Sequence, residues 1–231
     1  MNGAWSDEYP VSYKSWDEVR PIKFGYPCQL DWQQFSEDNL AAVLAGIDRL
    51  IKKHDPLKRT TTVNPNPYQL DSRSWFDKCS FWKTARVVDV LGISHYHLQY
   101  PHHGDRPYVP ACYLDRVRSA SKKNYFWIVE TQAGPALWDL DSDSPYHVSE
   151  DEAIMRYWQM LGHGARAISS WLYRTRIKAK QAGEFGLVGW DGSPTDRAKR
   201  VGELSSLLQK NADMFLSYEY KAEIAILSSY S

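Results

Sequence analysis

Cysteine is scarce in this sequence, and what there is lies far apart. Cys28, Cys79 and Cys112 are an odd number at wide spacing, which supports neither a disulfide framework nor a zinc knuckle. No stretch approaches the roughly 18 consecutive apolar residues of a membrane span. Met1 to Glu8 contains neither a basic region nor an apolar core. No signal peptide is read there, and a cytoplasmic location is expected. Charge of one sign is not in excess either. Lys plus Arg and Asp plus Glu both number 28, so no overall field draws nucleic acid or an anionic membrane, and neither is expected as a partner. Low-complexity tracts and internal repeats are absent. No glycine-rich phosphate loop follows any expected strand. Ser169-Ser170 lacks the G-x-S-x-G turn of a serine nucleophile.

What remains is a chain of 231 residues with 43% hydrophobic and 24% charged residues. That balance is ordinary for a globular protein, and the length suffices for one large domain or most of a barrel. The 10 Trp and 15 Tyr stand out. Most such rings pack in cores, but exposed ones can stack on the C–H faces of sugars.

Residues 1–35 are aromatic and irregular, broken by Pro10, Pro21 and Pro27, with at most a short helix near Ser15–Val19. Ser36-Glu37-Asp38 reads as a helix start, with acids in the first turn. Leu40, Val43, Leu44, Ile47, Leu50 and Ile51 then form one stripe at helical spacing. Lys52, Lys53 and His54 close that helix and Pro56 stops it. A β-prone run, Thr60–Val63, ends at Asn64. A helix is expected over Ser72–Trp82, a Val-rich strand over Arg86–Ile93 ending at Ser94-His95-Tyr96, and a helix near Ala111–Ala120. Ser149 and Glu152 make a capping box. The helix they open ends at Gly162 and Gly164. A strand follows over Ala165–Trp171, a long helix begins near Thr195, and Ala222–Leu227 reads as a last strand.

The segment from Asn124 to Gly134 is the most informative. Tyr125-Phe126-Trp127-Ile128-Val129 runs without polar alternation into Glu130, and a polar loop follows, with Trp138 beyond it. An uninterrupted apolar run fits a strand buried on both faces, as in a parallel sheet. A carboxylate at its last position sits on the C-terminal rim, where barrel enzymes keep their chemistry. Strands alternating with helices imply parallel pairing. Asn64, His95, Tyr96, Glu130 and Trp171 would then share that rim. Four βα units amount to half of a (β/α)8 barrel; a doubly wound open sheet is the other arrangement compatible with the pattern. His95, His97, His102 and His103 cluster around one loop but lack the acidic or cysteine partners of a metal site. They are read as rim residues, and no metal or other cofactor is expected.

These segments resemble glycoside hydrolase family 42, β-galactosidases of the large clan of (β/α)8 retaining glycosidases. The resemblance is carried in order by Asn2-Gly3-Ala4-Trp5 with Tyr13–Val19, by Leu30-Asp31-Trp32-Gln33-Gln34-Phe35-Ser36-Glu37-Asp38, and by Thr61-Thr62-Val63-Asn64. It continues through Val88-Asp89-Val90 with Ser94-His95-Tyr96, and through Phe126–Gly134. It covers nearly the whole chain and is specific as a set. It implies that residues 1–218 are the second half of the barrel, four βα units, with 1–35 an irregular loop region. Residues 219–231 would begin a following β-containing domain. It implies that Glu130 is the nucleophile, that Trp138 flanks the sugar, that Trp171 and Arg174 lie at the last strand's end, and that Glu184 binds sugar hydroxyls. It implies a β-galactoside or oligosaccharide substrate and a homo-oligomer, a trimer.

Two departures matter. A histidine expected shortly after Glu184 is replaced by Phe185-Gly186-Leu187. The family's Asn-Glu acid/base pair would precede Asn2, and Asp7-Glu8-Tyr9 falls inside a loop with no strand before it. The chain therefore reads as a fragment carrying one of two catalytic carboxylates, inactive alone. Two rival readings stay open: another retaining glycosidase of the clan acting on a glucan or algal polysaccharide, or a catalytically dead sugar-binding remnant.

Overall fold

The computed structural model describes residues 14–19, 26–65, 80–96, 108–134, 149–178 and 186–227. The chain divides into two units, Met1–Thr61 with Tyr68–Asp89, and Thr62–Pro67 with Val90–Ser231. Among the described residues no helix is long and apolar enough to cross a membrane.

The first unit is helical. A single 3-10 turn covers Trp16–Glu18, inside the short helix expected near Ser15–Val19. Helix α1 spans Tyr26–His54, so it begins ten residues before the Ser36 start expected from sequence. Glu37 and Asp38 do not open it. Their carboxylates instead hold Lys83, at 3.2 and 2.7 Å, and Ser36 is buried mid-helix. Lys83 belongs to α2, Phe81–Val87, which Ser80 caps by accepting from the Lys83 amide. The strand expected over Arg86–Ile93 is therefore largely helix and turn. Arg86 and Val87 finish the helix that Ser80 caps, residues 88–90 bend, and the strand itself begins only at Gly92. Of the helix expected over Ser72–Trp82, residues 72–79 lie outside the described set.

Beyond α1, Asp55 accepts from the Leu57 and Arg59 amides at 3.2 and 2.8 Å and from the Arg59 guanidinium at 3.0 Å. These bonds hold its carboxyl down at about 2. Asp89 accepts from Lys52 at 2.7 Å and from the Thr61 amide at 3.0 Å. Its carboxyl is likewise lowered to about 2, chiefly by Lys52.

The second unit is built on a parallel sheet in the order β1-β2-β3. The strands are β1 Gly92–His95, β2 Phe126–Gln132 and β3 Ala165–Trp171. Helix α3, Tyr108–Ala120, connects the first pair, and α4, Glu150–Gly162, the second. Crossover helices are what parallel neighbours require. Ile93, Phe126 and Ile128 from the sheet, Tyr113, Leu114 and Val117 of α3 and Met160 of α4 are all fully buried. Each such side chain contributes about 1.5–3 kcal/mol on burial. Ser149 caps α4 as its sequence predicts, accepting from the Glu152 amide at 3.2 Å. Thr195 caps α5, Asp196–Lys210, in the same way. A short α6, Ala212–Ser217, follows.

Among the described residues three strands pair, one fewer than the four βα units expected. Residues 60–64 form no strand and do not join the ladder. They pass so close to β1 that a Cβ on Gly92 would stand 2.5 Å from the Val63 carbonyl oxygen. Residues 222–227 are not a strand either. They find no ladder partner among the described residues, and Ile224, Ile226 and Leu227 are exposed. The β1–β2 register shifts between Ile93 and Ser94. Ile93 faces Ile128, but Ser94 faces Glu130 and His95 faces Thr131.

Candidate active site

Glu130 stands near the C-terminal end of β2, the middle strand, with donors arriving from its β1 side. Asn64 Nδ2 donates to Glu130 Oε2 at 2.8 Å. The Ser94 hydroxyl lies 3.1 Å from the same oxygen. The Tyr96 hydroxyl donates to Oε1. No cation among the described residues pairs with this carboxylate. A carboxylate offers about four acceptor directions, so these donors leave it able to receive another group.

The orientation of Asn64 follows from its neighbours. Its Oδ1 lies 2.7 Å from Ser94 Oγ. Turned over, the amide would press its carbonyl oxygen against the Glu130 carboxylate. Ser94 has one proton and two acceptors, Asn64 Oδ1 and Glu130 Oε2. The shorter contact favours Asn64, and rotation about the C–O bond offers the proton to Glu130 instead. Hydrogen bonds to a charged partner are worth about 1.5–3 kcal/mol each, so this cluster fixes the carboxylate's position.

The residues singled out from sequence do not all meet here. Asn64, Tyr96 and Glu130 do. Trp171 ends β3 opposite Gln132, two residues beyond Glu130, so it flanks the same rim. Its ring carries the Arg176 guanidinium at 5.2 Å, and its buried Nε1 has no partner among the described residues. His95 is not brought to the cluster. It is 1% exposed, and its ring stacks on Tyr113 at 5.8 Å. Successive strand residues point to opposite faces, so Ser94 and Tyr96 reach the carboxylate and the residue between them enters the core. Arg174 is exposed beyond β3. Trp138 and Glu184 lie outside the described residues, as do His97, His102 and His103. Among the described residues no group of three or more His, Cys, Asp or Glu is placed to hold a metal ion. Ser94 was not singled out from sequence. Its one signal is spacing, two residues before Tyr96, which lies just past the end of β1.

The β-galactosidase family model for glycoside hydrolase family 42 matches residues 1–211. The chain belongs to glycoside hydrolase family 42. A β-galactosidase from Thermus thermophilus is 30% identical over 96% of this chain, and one from Thermus sp. is 29% identical over the same share. The chain spans about a third of the length of these relatives, 37% of each. Among solved structures, a family 42 β-galactosidase from G. stearothermophilus matches with a TM-score of 0.73 at 16% identity, over 91% of this chain and 31% of that one. The cold-adapted β-galactosidase from Rahnella sp. matches with a TM-score of 0.73 at 21% identity, over 90% and 30%. At such identities the likeness speaks for the fold. The three-stranded parallel sheet with its crossover helices is consistent with an α/β barrel of the kind these neighbours share.

Proposed function

We propose that this member of family 42 supplies the nucleophile of a retaining β-glycosidase acting on β-galactosides. The observation that carries the reading is the Glu130 carboxylate at a strand end, held by donors from Asn64, Ser94 and Tyr96 and paired with no cation. In this reading Glu130 attacks the anomeric carbon, forming a glycosyl ester as the leaving oxygen departs. A second carboxyl about 5–5.5 Å away protonates that oxygen and then activates the water that resolves the ester. We place this second carboxyl on a part of the barrel that residues 1–231 do not supply. Residues 1–218 would be barrel and 219–231 the approach to a following domain, in a homo-oligomer as the resemblance implies. Trp138 and Trp171 would wall the sugar, with Arg174 and Glu184 at its hydroxyls.

As the ester forms, Glu130 loses its charge. The Ser94 hydroxyl can then donate to Asn64 Oδ1 alone, and when the ester is hydrolysed it can rotate to donate to Oε2. The donors thus follow the charge without leaving their places.

The test is covalent trapping. A 2-deoxy-2-fluoro-β-galactoside with a dinitrophenolate leaving group needs no proton donor for its first step. Incubated with the chain, alone and fused to the preceding barrel half of a family 42 relative, it should leave one adduct. That adduct should map to the peptide containing Glu130 and vanish in Glu130→Gln. An adduct on another carboxylate, or none in the fused protein, removes the assignment.

A further inference from the structure

Past Trp171 the chain leaves the sheet as a segment pinned from one side, with one isolated bridge between Arg174 and Val188. The Leu187 and Val188 amides donate to the Leu172 and Tyr173 carbonyls, both at 2.9 Å. Thr175 is buried. Its hydroxyl donates to the Val188 carbonyl at 3.0 Å and accepts from the Gly186 amide at 3.3 Å. A Cβ on Gly186 would stand 2.5 Å from the Thr175 nitrogen, so only glycine permits this approach. Thr175 is buried between Arg174 and Arg176, both exposed, and Lys178 is exposed as well.

These cations and Trp190 line an open cleft of about 410 Å³. Trp190 is 54% exposed. It sits on a turn closed by Asp191, which accepts from the Ser193 amide and hydroxyl at 2.8 and 2.6 Å. Arg176 reaches back over Trp171, so the cleft adjoins the rim that carries Glu130. None of Arg174, Arg176 and Lys178 has an ion-pair partner among the described residues. One solvated cation calls for no explanation. Three on one pinned segment, around an exposed indole and in a chain of zero net charge, form a local field with a flat apolar platform inside it.

We propose that this cleft is a subsite for an anionic carbohydrate, a glycan whose ring lies on Trp190 and whose sulfate or carboxylate group sits among Arg174, Arg176 and Lys178. Guanidinium groups match the planar oxygens of both anions. The proposal rests on the glycosidase reading of the adjoining rim and names the class of chain that would run into it. A nucleic acid offers the same charge, but the neutral chain as a whole gives it no wider surface to follow.

The experiment is titration calorimetry on the full 231-residue chain. Three oligosaccharides of equal length are compared: a sulfated galactan, its desulfated counterpart and a uronate-bearing chain. At least one charged sugar is expected to bind about tenfold tighter than the neutral one, with an advantage that shrinks in salt. The stronger charged arm identifies the substituent. Arg176→Gln with Lys178→Gln should erase most of that advantage while thermal stability and neutral-sugar affinity hold. Equal affinity for all three sugars overturns the proposal. So does an advantage that survives the double substitution, or equal binding of a single-stranded RNA of matched charge. Binding needs no competent nucleophile. If trapping fails at Glu130 and the charged glycan still binds selectively, the hydrolase reading falls and the subsite stands. If Glu130 is trapped and no charge preference appears, the reverse holds.

Discussion

At the C-terminal end of the sheet, Glu130 takes hydrogen bonds from an amide and two hydroxyls and pairs with no cation among the described residues. At the N-terminal end, Asp115 meets Arg118 at 3.0 Å and His163 at 2.9 Å. Arg118 also donates to Asn124 at 3.2 Å and lies 3.6 Å from the centre of the Tyr220 ring. Its side chain is only 8% exposed. Gly164 makes room for it, since a Cβ there would stand 2.7 Å from Arg118 Cδ. Asn124 and Arg166 then hold the carbonyls of Tyr220 and Tyr218. One end consumes its charges in fixing the chain. The other fixes a charge while leaving it unneutralised. That is the division a barrel keeps between its stabilising and its reactive face.

The sharpest way to break the contrast is Glu130→Gln in the fused barrel. Activity on a β-galactoside should fall by several orders of magnitude with the melting temperature essentially unchanged. Near-normal turnover would place the chemistry elsewhere. The converse substitution is Arg118→Ala. It should cost roughly 2–3 kcal/mol in urea unfolding and leave the Michaelis constant alone, because a buried charge is removed from several partners at once. A changed Michaelis constant with intact stability would mean that the two ends are not separate in role.

Ser94→Ala sharpens the comparison within the reactive end. It should lower kcat/KM about tenfold, near 1.4 kcal/mol, with a smaller effect on stability. Ser94→Thr should restore part of the loss by keeping the hydroxyl. The smallest effect concerns a paired acid in the other unit. Asp89 is lowered to about 2 by Lys52 and Thr61, so its contribution is present above the ordinary carboxylate value near 4 and is lost as pH falls toward 2. Asp89→Asn should flatten the decline of melting temperature across that window. An unchanged profile would mean that the pair with Lys52 adds nothing to stability.

Much of this was legible because several elements carry their own signals. Ser149 and Thr195 mark helix starts locally, and β2 and β3 are apolar runs of the right length. The rim residues Asn64, Tyr96 and Glu130 could be read as strand-end polar groups. Elsewhere the deciding partner was distant in sequence. Glu37 and Asp38 look like first-turn acids until Lys83 is placed beside them. Arg86–Ile93 looks like a strand until Ser80 caps the helix that takes its first residues. His95 was singled out and Ser94 was not, because identity suggests a histidine for a site. Only the pairing of β1 with β2 shows which of the two faces the carboxylate.

That pairing turns on the register shift after Ile93. Counted straight from Ile93 opposite Ile128, His95 would lie across from Glu130. The extra residue on β2 gives that place to Ser94. One inserted position thus decides the acid–base character of the side chain beside Glu130. Hydroxyl and amide donors keep their protons through the neutral range, whereas an imidazole gains and loses one there. Straightening the register with Val129 in place would set the imidazole across from Glu130, whereas deleting Val129 would straighten it and keep the Ser94 hydroxyl there.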